Sequence, residues 1–100
     1  MNFEWDERKR IQVIRERGVD LLHAAQMFEG EVLTRIDGRQ DYGETRLISL
    51  GMVGDECFVV VHTRRHGATR LITAWKGGRD ERSQYQTGIT RRDQKDEGKG

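Results

Sequence analysis

Apart from a brief alternating stretch at the start, the apolar positions of this chain change period once, at Gly30. Phe3-Glu4-Trp5 runs apolar, polar, apolar and predicts a short strand. Asp6 then reads as a helix N-cap, because its carboxylate can accept the free N–H groups of a first turn. Glu7–Arg17 is rich in helix formers and sets Ile11 and Ile14 three apart on one face. It opens acidic and closes on Arg15 and Arg17, which suits the helix dipole, and Gly18 predicts its stop. Asp20 caps a second helix in which Leu21, Ala24, Ala25 and Phe28 recur at helical spacing, with Leu22 and Met27 widening the apolar face. Two short helices thus fill residues 6–29.

After Gly30 the period becomes two. Val32–Ile36 predicts a strand, and Asp37–Gly43 a polar loop. Thr45–Val53 predicts a strand with Leu47, Ser49, Gly51 and Val53 on one side and Arg46, Ile48, Leu50 and Met52 on the other. Cys57–Arg65 follows the Gly54-Asp55-Glu56 turn and is apolar on both faces from Phe58 to Val61, as a central strand would be. His66-Gly67-Ala68 turns the chain into a further strand, Arg70–Lys76. Strands joined by turns this short must be antiparallel. Gly77-Gly78 ends the sheet, and Arg79–Gln86 predicts a short helix with Glu81 and Tyr85 on one face. The order βααββββα defines an α+β domain over residues 1–86: an antiparallel sheet packed by two N-terminal helices and a short C-terminal helix. Residues 87–100 are polar and expected to form a flexible tail.

Charge sharpens this picture. The formal net charge is only +1, but residues 1–61 carry −4, residues 62–82 carry +4, and the remainder carries +1. The basic stretch holds Arg64, Arg65, Arg70, Lys76, Arg79 and Arg82 beside the most hydrophobic strand. Such a local excess suits a phosphate-rich partner, and a solvated charged surface is the plain alternative. At 100 residues the chain is one domain. No apolar run approaches a membrane span, the charged N-terminus does not resemble a signal peptide, and the single Cys57 allows no internal disulfide. A cytoplasmic protein without a membrane partner is expected.

The residues exclude some chemistries and leave others open. There is no CxxC, HExxH or EF-hand pattern, so neither metal nor cofactor is expected. Ser49 and Ser83 lack a nucleophile-elbow context. Gly77-Gly78 before a helix offers N–H groups to an anion, or is simply a turn. Attack of a ribose 2′-OH on its own 3′-phosphate needs a base, an acid and positive charge on the phosphorane oxygens. Arginine supplies the last, because its planar fork binds two oxygens and stays ionised. His62, His66, Glu81 and Tyr85 are the nearby candidates for proton transfer.

Several short motifs then fall in a shared order: Phe3-Glu4-Trp5-Asp6; Arg17-Gly18-Val19 with Ala24-Ala25-Gln26-Met27-Phe28; Glu44-Thr45-Arg46 leading to Leu50-Gly51; Val60-Val61-His62-Thr63-Arg64-Arg65; Arg70-Leu71-Ile72-Thr73-Ala74; and finally Glu81 and Tyr85. From Phe3 to Tyr85 the chain resembles the BrnT family of type II toxin–antitoxin systems. The resemblance implies a RelE-like fold, metal-independent endoribonuclease activity and inhibition of translation. It also implies a ribbon-helix-helix antitoxin of the BrnA kind, held in a hetero-oligomer that meets DNA only through the antitoxin. Carried over, Arg65, Arg70, Glu81, Tyr85 and His62 become the catalytic candidates, with Arg64, Lys76, Arg79, Arg82 and Trp75 as RNA-binding candidates. The chain departs from the family pattern at Arg17, where a histidine is usual, and at Trp75, where an arginine is usual. Trp75 would stack an RNA base or pack under the last helix. If the missing arginine belongs to the site, the chain is instead a catalytically weakened antitoxin-binding module acting in operon autoregulation.

Overall fold

A computed structural model describes residues 1–97, with side chains to residue 93. The chain runs β1 (Phe3–Trp5), α1 (Glu7–Arg17), α2 (Leu21–Ala24) continued by a 3-10 turn (Ala25–Glu29), β2 (Leu33–Ile36), β3 (Leu47–Val53), β4 (Glu56–Arg65), β5 (Ala68–Lys76) and α3 (Arg79–Glu97). Both N-terminal caps form as the sequence predicts. The Asp6 carboxylate accepts from the amides of Arg8 at 2.9 Å and Lys9 at 3.4 Å, and that of Asp20 accepts from Leu22 at 2.9 Å. Gly18 closes α1 at φ 68°, a left-handed conformation that glycine adopts without cost. Arg10 ties the two helices together, gripping Asp20 with two bonds of 2.8 Å.

The sheet has the order β1-β5-β4-β3-β2. β2 to β5 form the expected antiparallel meander with β4 central. β1, however, pairs parallel with β5, so the sheet is mixed rather than antiparallel. Short turns constrain only the strands they join. β1 and β5 are separated by nearly the whole chain, so nothing local sets their sense.

The sheet's two faces are filled differently. On one, Phe58, Val60, Leu71 and Ala74 pack under Val13, Val19, Leu21, Ala24, Ala25 and Met27 from the helical layer. The 3-10 turn lies so close that a Cβ on Gly51 would stand 2.9 Å from that of Met27. On the other face Ile48, Val59 and Val61 are buried, with Leu50, Ile72 and Trp75 packed around them. α1 uses a different stripe from the expected one. Val13 is buried, while Ile11 and Ile14 are 42% and 39% exposed, because the helix leans on β5 through its other side.

α3 is also longer than the sequence suggests, continuing to Glu97 rather than stopping near Gln86. Its hold comes from distant segments. Gly88 packs on Leu33 with no room for a Cβ, the Tyr85 hydroxyl donates to the Glu31 carbonyl at 2.8 Å, and Arg92 lies 3.6 Å from the Glu31 carboxylate. Of the expected tail, residues 98–100 fall outside the described residues. Among the described residues, no helix is long and apolar enough to cross a membrane.

Candidate functional site

The β4–β5 turn brings Arg65 and Arg70 to one end of the sheet, five residues apart in sequence. Alternation along β4 sends Thr63 and Arg65 to one side and His62 and Arg64 to the other, and the Thr63–Arg70 register puts Arg70 on the side of Arg65. Arg46 stands one residue before the Leu47–His62 pair and so reaches the same end. Lys9, in the first turn of α1, arrives from the edge beyond β1. These four cations border an open cleft of about 380 Å³, together with Asp6, Glu44, Leu71 and Ile72. Asp6 is committed to capping α1. Glu44 lies 3.4 Å from Arg46 Nε and 3.8 Å from Arg65 Nη2, and just outside the cleft Arg70 stands 3.5 Å from Glu4.

The loop between β2 and β3 sets this end of the sheet. Asp37 is buried and grips Arg39 by two bonds of 2.8 Å, while the Tyr42 hydroxyl donates to the same carboxylate at 3.1 Å. The Arg39 guanidinium holds the Asp37 carboxyl well below the usual carboxylate range. Arg46 lies over the Tyr42 ring at 4.0 Å, so the packed loop also orients a cleft cation.

The other expected site residues lie elsewhere. His62 is only 6% exposed, on the helix-covered face, where its Nε2 is 2.7 Å from Ser49 Oγ, which in turn is 2.7 Å from Thr34 Oγ1. Burial pushes the His62 pKa down and favours the neutral ring, and Phe28 meets it edge-on at 5.2 Å. Glu81 accepts from the Gly78 amide at 3.3 Å, which makes it a cap of α3 rather than a partner of Arg65 or Arg70. That carboxylate also occupies the amide that Gly77-Gly78 would have offered an anion. Tyr85 is tied to Glu31, and burial raises its pKa. Lys76 closes on Glu56 at 2.7 Å, and Arg82 donates to the Asp55 carbonyl at 2.8 Å. Arg64 and Arg79 are exposed but outside the cleft lining, and His66 is exposed on the hairpin turn at φ 53°. Trp75 is half-buried against the Ile48–Val59–Val61 cluster, with the guanidiniums of Arg17 and Arg39 at 5.2 and 5.6 Å from its ring. Cys57 is buried, and burial pushes its thiol pKa up.

The structure therefore gathers Arg65 and Arg70 of the expected set and adds Lys9, Arg46 and Glu44. The Glu44-Thr45-Arg46 motif was visible in the sequence without a role. Lys9, one cation among many on α1, gave no signal. A second concavity, lined by Phe3, Leu22, Ala25 and Phe28 among others, has no Lys or Arg.

An α+β domain with four converging cations can hold a phosphodiester by several of its oxygens at once. A family model described as "Ribonuclease toxin, BrnT, of type II toxin-antitoxin system" matches residues 5–81. The chain belongs to this family, whose members are ribonuclease toxins, and membership implies an antitoxin partner. Comparison with curated proteins finds no match.

Proposed function

We propose that this chain is an endoribonuclease toxin that cuts RNA in the cleft between Arg65 and Arg70, without a metal, and so inhibits translation. The observation that carries this reading is the convergence of Lys9 from α1, Arg46 from the loop before β3, Arg65 from β4 and Arg70 from β5 on one cleft. Ribose 2′-OH attack forms the bond from 2′-oxygen to phosphorus and breaks the bond to the 5′-oxygen, leaving a 2′,3′-cyclic phosphate. Arg65 and Arg70 hold the scissile phosphate and stabilise the charge that builds on its oxygens, the work a metal ion does in other nucleases. Lys9 and Arg46 hold the neighbouring backbone. Arg64 and Arg79, exposed and outside the cleft, are left as a distant, nonspecific attraction for RNA, while Lys76 and Arg82 are engaged by Glu56 and the Asp55 carbonyl. A BrnA-like ribbon-helix-helix antitoxin neutralises the toxin in a cytoplasmic hetero-oligomer, which reaches DNA through the antitoxin.

The test is incubation of purified protein with an mRNA transcript in EDTA. Cleavage that persists in EDTA and is lost in Arg70→Ala supports the reading, and an intact transcript at stoichiometric protein rejects it. The alternative, a weakened antitoxin-binding module, rests on Trp75. Its ring packs in the apolar cluster and is not among the residues lining the cleft, so a tryptophan there takes no cation from the four. Trp75→Arg is therefore expected to leave cleavage unchanged. A marked rise in toxicity would favour the alternative.

A further inference from the structure

Transesterification by a 2′-OH needs a group that takes its proton, and the cleft cations do not act as one: guanidinium keeps its proton, and an ammonium has no free lone pair. Of the candidates read from sequence, His62 is inside the core, Glu81 and Tyr85 are engaged on α3, and His66 sits on the exposed hairpin turn outside the cleft lining. Tyr42 is near, but its hydroxyl is bonded to Asp37. Of the two carboxylates lining the cleft, Asp6 accepts two amides of α1. Glu44 remains.

We propose that Glu44 is the general base of the ribonuclease reaction, an inference that rests on the RNA-cleaving role given to the cleft above. Its side chain is 33% exposed, so a ribose can reach it. Its two oxygens face different arginines, Arg46 at 3.4 Å and Arg65 at 3.8 Å. Both contacts are longer than the roughly 2.7–2.9 Å of a committed charge-assisted hydrogen bond. Asp37 is the contrast on the same loop: it grips Arg39 at 2.8 Å through both oxygens and is fully covered. Asp37 is locked, while Glu44 keeps free lone pairs beside the arginine that holds the phosphate. A phosphate on Arg65 sets the adjoining 2′-OH within reach of that carboxylate. Glu44 takes the hydroxyl proton as the 2′-oxygen bonds to phosphorus, and the leaving 5′-oxygen takes a proton from water in the open cleft. The carboxylic acid then returns its proton to solvent.

The experiment uses the full chain, an mRNA transcript in EDTA, and a fluorescent DNA oligonucleotide as an uncleavable probe of binding. Glu44→Gln keeps the shape and removes the base. It is expected to lower the single-turnover rate by about 10²–10⁴-fold, to bind the DNA probe as tightly as the parent or more tightly, and to lose the acidic limb of the rate–pH profile. Added formate should restore part of the activity of Glu44→Ala, which a purely structural carboxylate would not allow. Glu44→Gln cleavage within threefold of the parent, with the same pH profile, would overturn the proposal and leave the ribonuclease reading intact. A faster Glu44→Gln would show instead that Glu44 is only a counter-ion occupying the phosphate's place. A parent protein that leaves the transcript whole would remove both readings. Should Glu44→Gln not fold, the formate response of Glu44→Ala and the rate of Glu44→Asp decide the matter, and no response in either overturns it.

Discussion

At the turn end of the β4–β5 hairpin, Arg65 and Arg70 join Lys9 and Arg46 around an open cleft. At the other end, Lys76 closes on Glu56 at 2.7 Å and Arg82 donates to a backbone carbonyl at 2.8 Å. In sequence Arg65, Arg70, Lys76 and Arg82 belong to a single basic stretch. In space the six residue steps from Arg70 to Lys76 carry the chain about 20 Å along a strand. The difference teaches that charge density along a chain does not locate a site. What separates the ends is the company each keeps: two distant segments deliver further cations to one, where the carboxylates stand off at 3.4–3.8 Å, while the cations of the other are held at 2.7–2.8 Å by Glu56 and the Asp55 carbonyl.

The largest effect that could break this contrast is on the reaction. Arg65→Ala and Arg70→Ala are each expected to lower transcript cleavage by about 10²–10³-fold, the usual loss when one donor aimed at developing charge is removed. Lys76→Ala and Arg82→Ala should stay within a few-fold of the parent. Equal losses at both ends in a single-turnover assay would erase the distinction. Next comes His62, which shares the stretch but points into the core. His62→Ala removes one of the two partners of Ser49 and empties a buried site, and is expected to cost about 1–3 kcal/mol in urea unfolding, with little change in rate per folded molecule. Because burial holds His62 below its ordinary value, the unfolded chain binds a proton that the folded one refuses. Stability should therefore fall as the pH drops below about 6.5, level off once the lowered folded value is passed, and lose that slope in His62→Gln. Third is salt: each cleft cation removed should flatten the log–log dependence of single-stranded probe binding by about 0.7, and Arg82→Ala should not alter it. The smallest effect is at Glu81, where alanine removes a helix cap worth about 0.5–1 kcal/mol and leaves cleavage untouched.

Much of the fold was legible because local rules govern it. Asp6 and Asp20 cap the helices they were expected to cap, Gly18 stops α1, and the short turns force the meander. Where contacts at long range decide, local pattern does not carry the answer. The parallel pairing of β1 with β5, the length of α3 and the choice of Val13 over Ile11 and Ile14 all depend on segments far apart in sequence. The site divides along the same line. Arg65 and Arg70 were singled out by the family resemblance, and the short turn between them is enough to bring them together. Glu44, Arg46 and Lys9 join them through a sheet register and a helix entry that no local motif encodes.

By itself, then, the sequence determined the elements, their caps, the meander and the pair of arginines at its turn, together with a family resemblance that the family match over residues 5–81 bears out. Tertiary structure alone decided which face of β4 each side chain takes relative to the helices. It buried His62, set Glu81 as a cap, and left Glu44 loosely held between two arginines. The physical reason is one of range. Hydrogen bonding within a turn and side-chain period act over a few residues and are written in them. The reach of a charge across a cleft depends on packing that only the closed chain possesses.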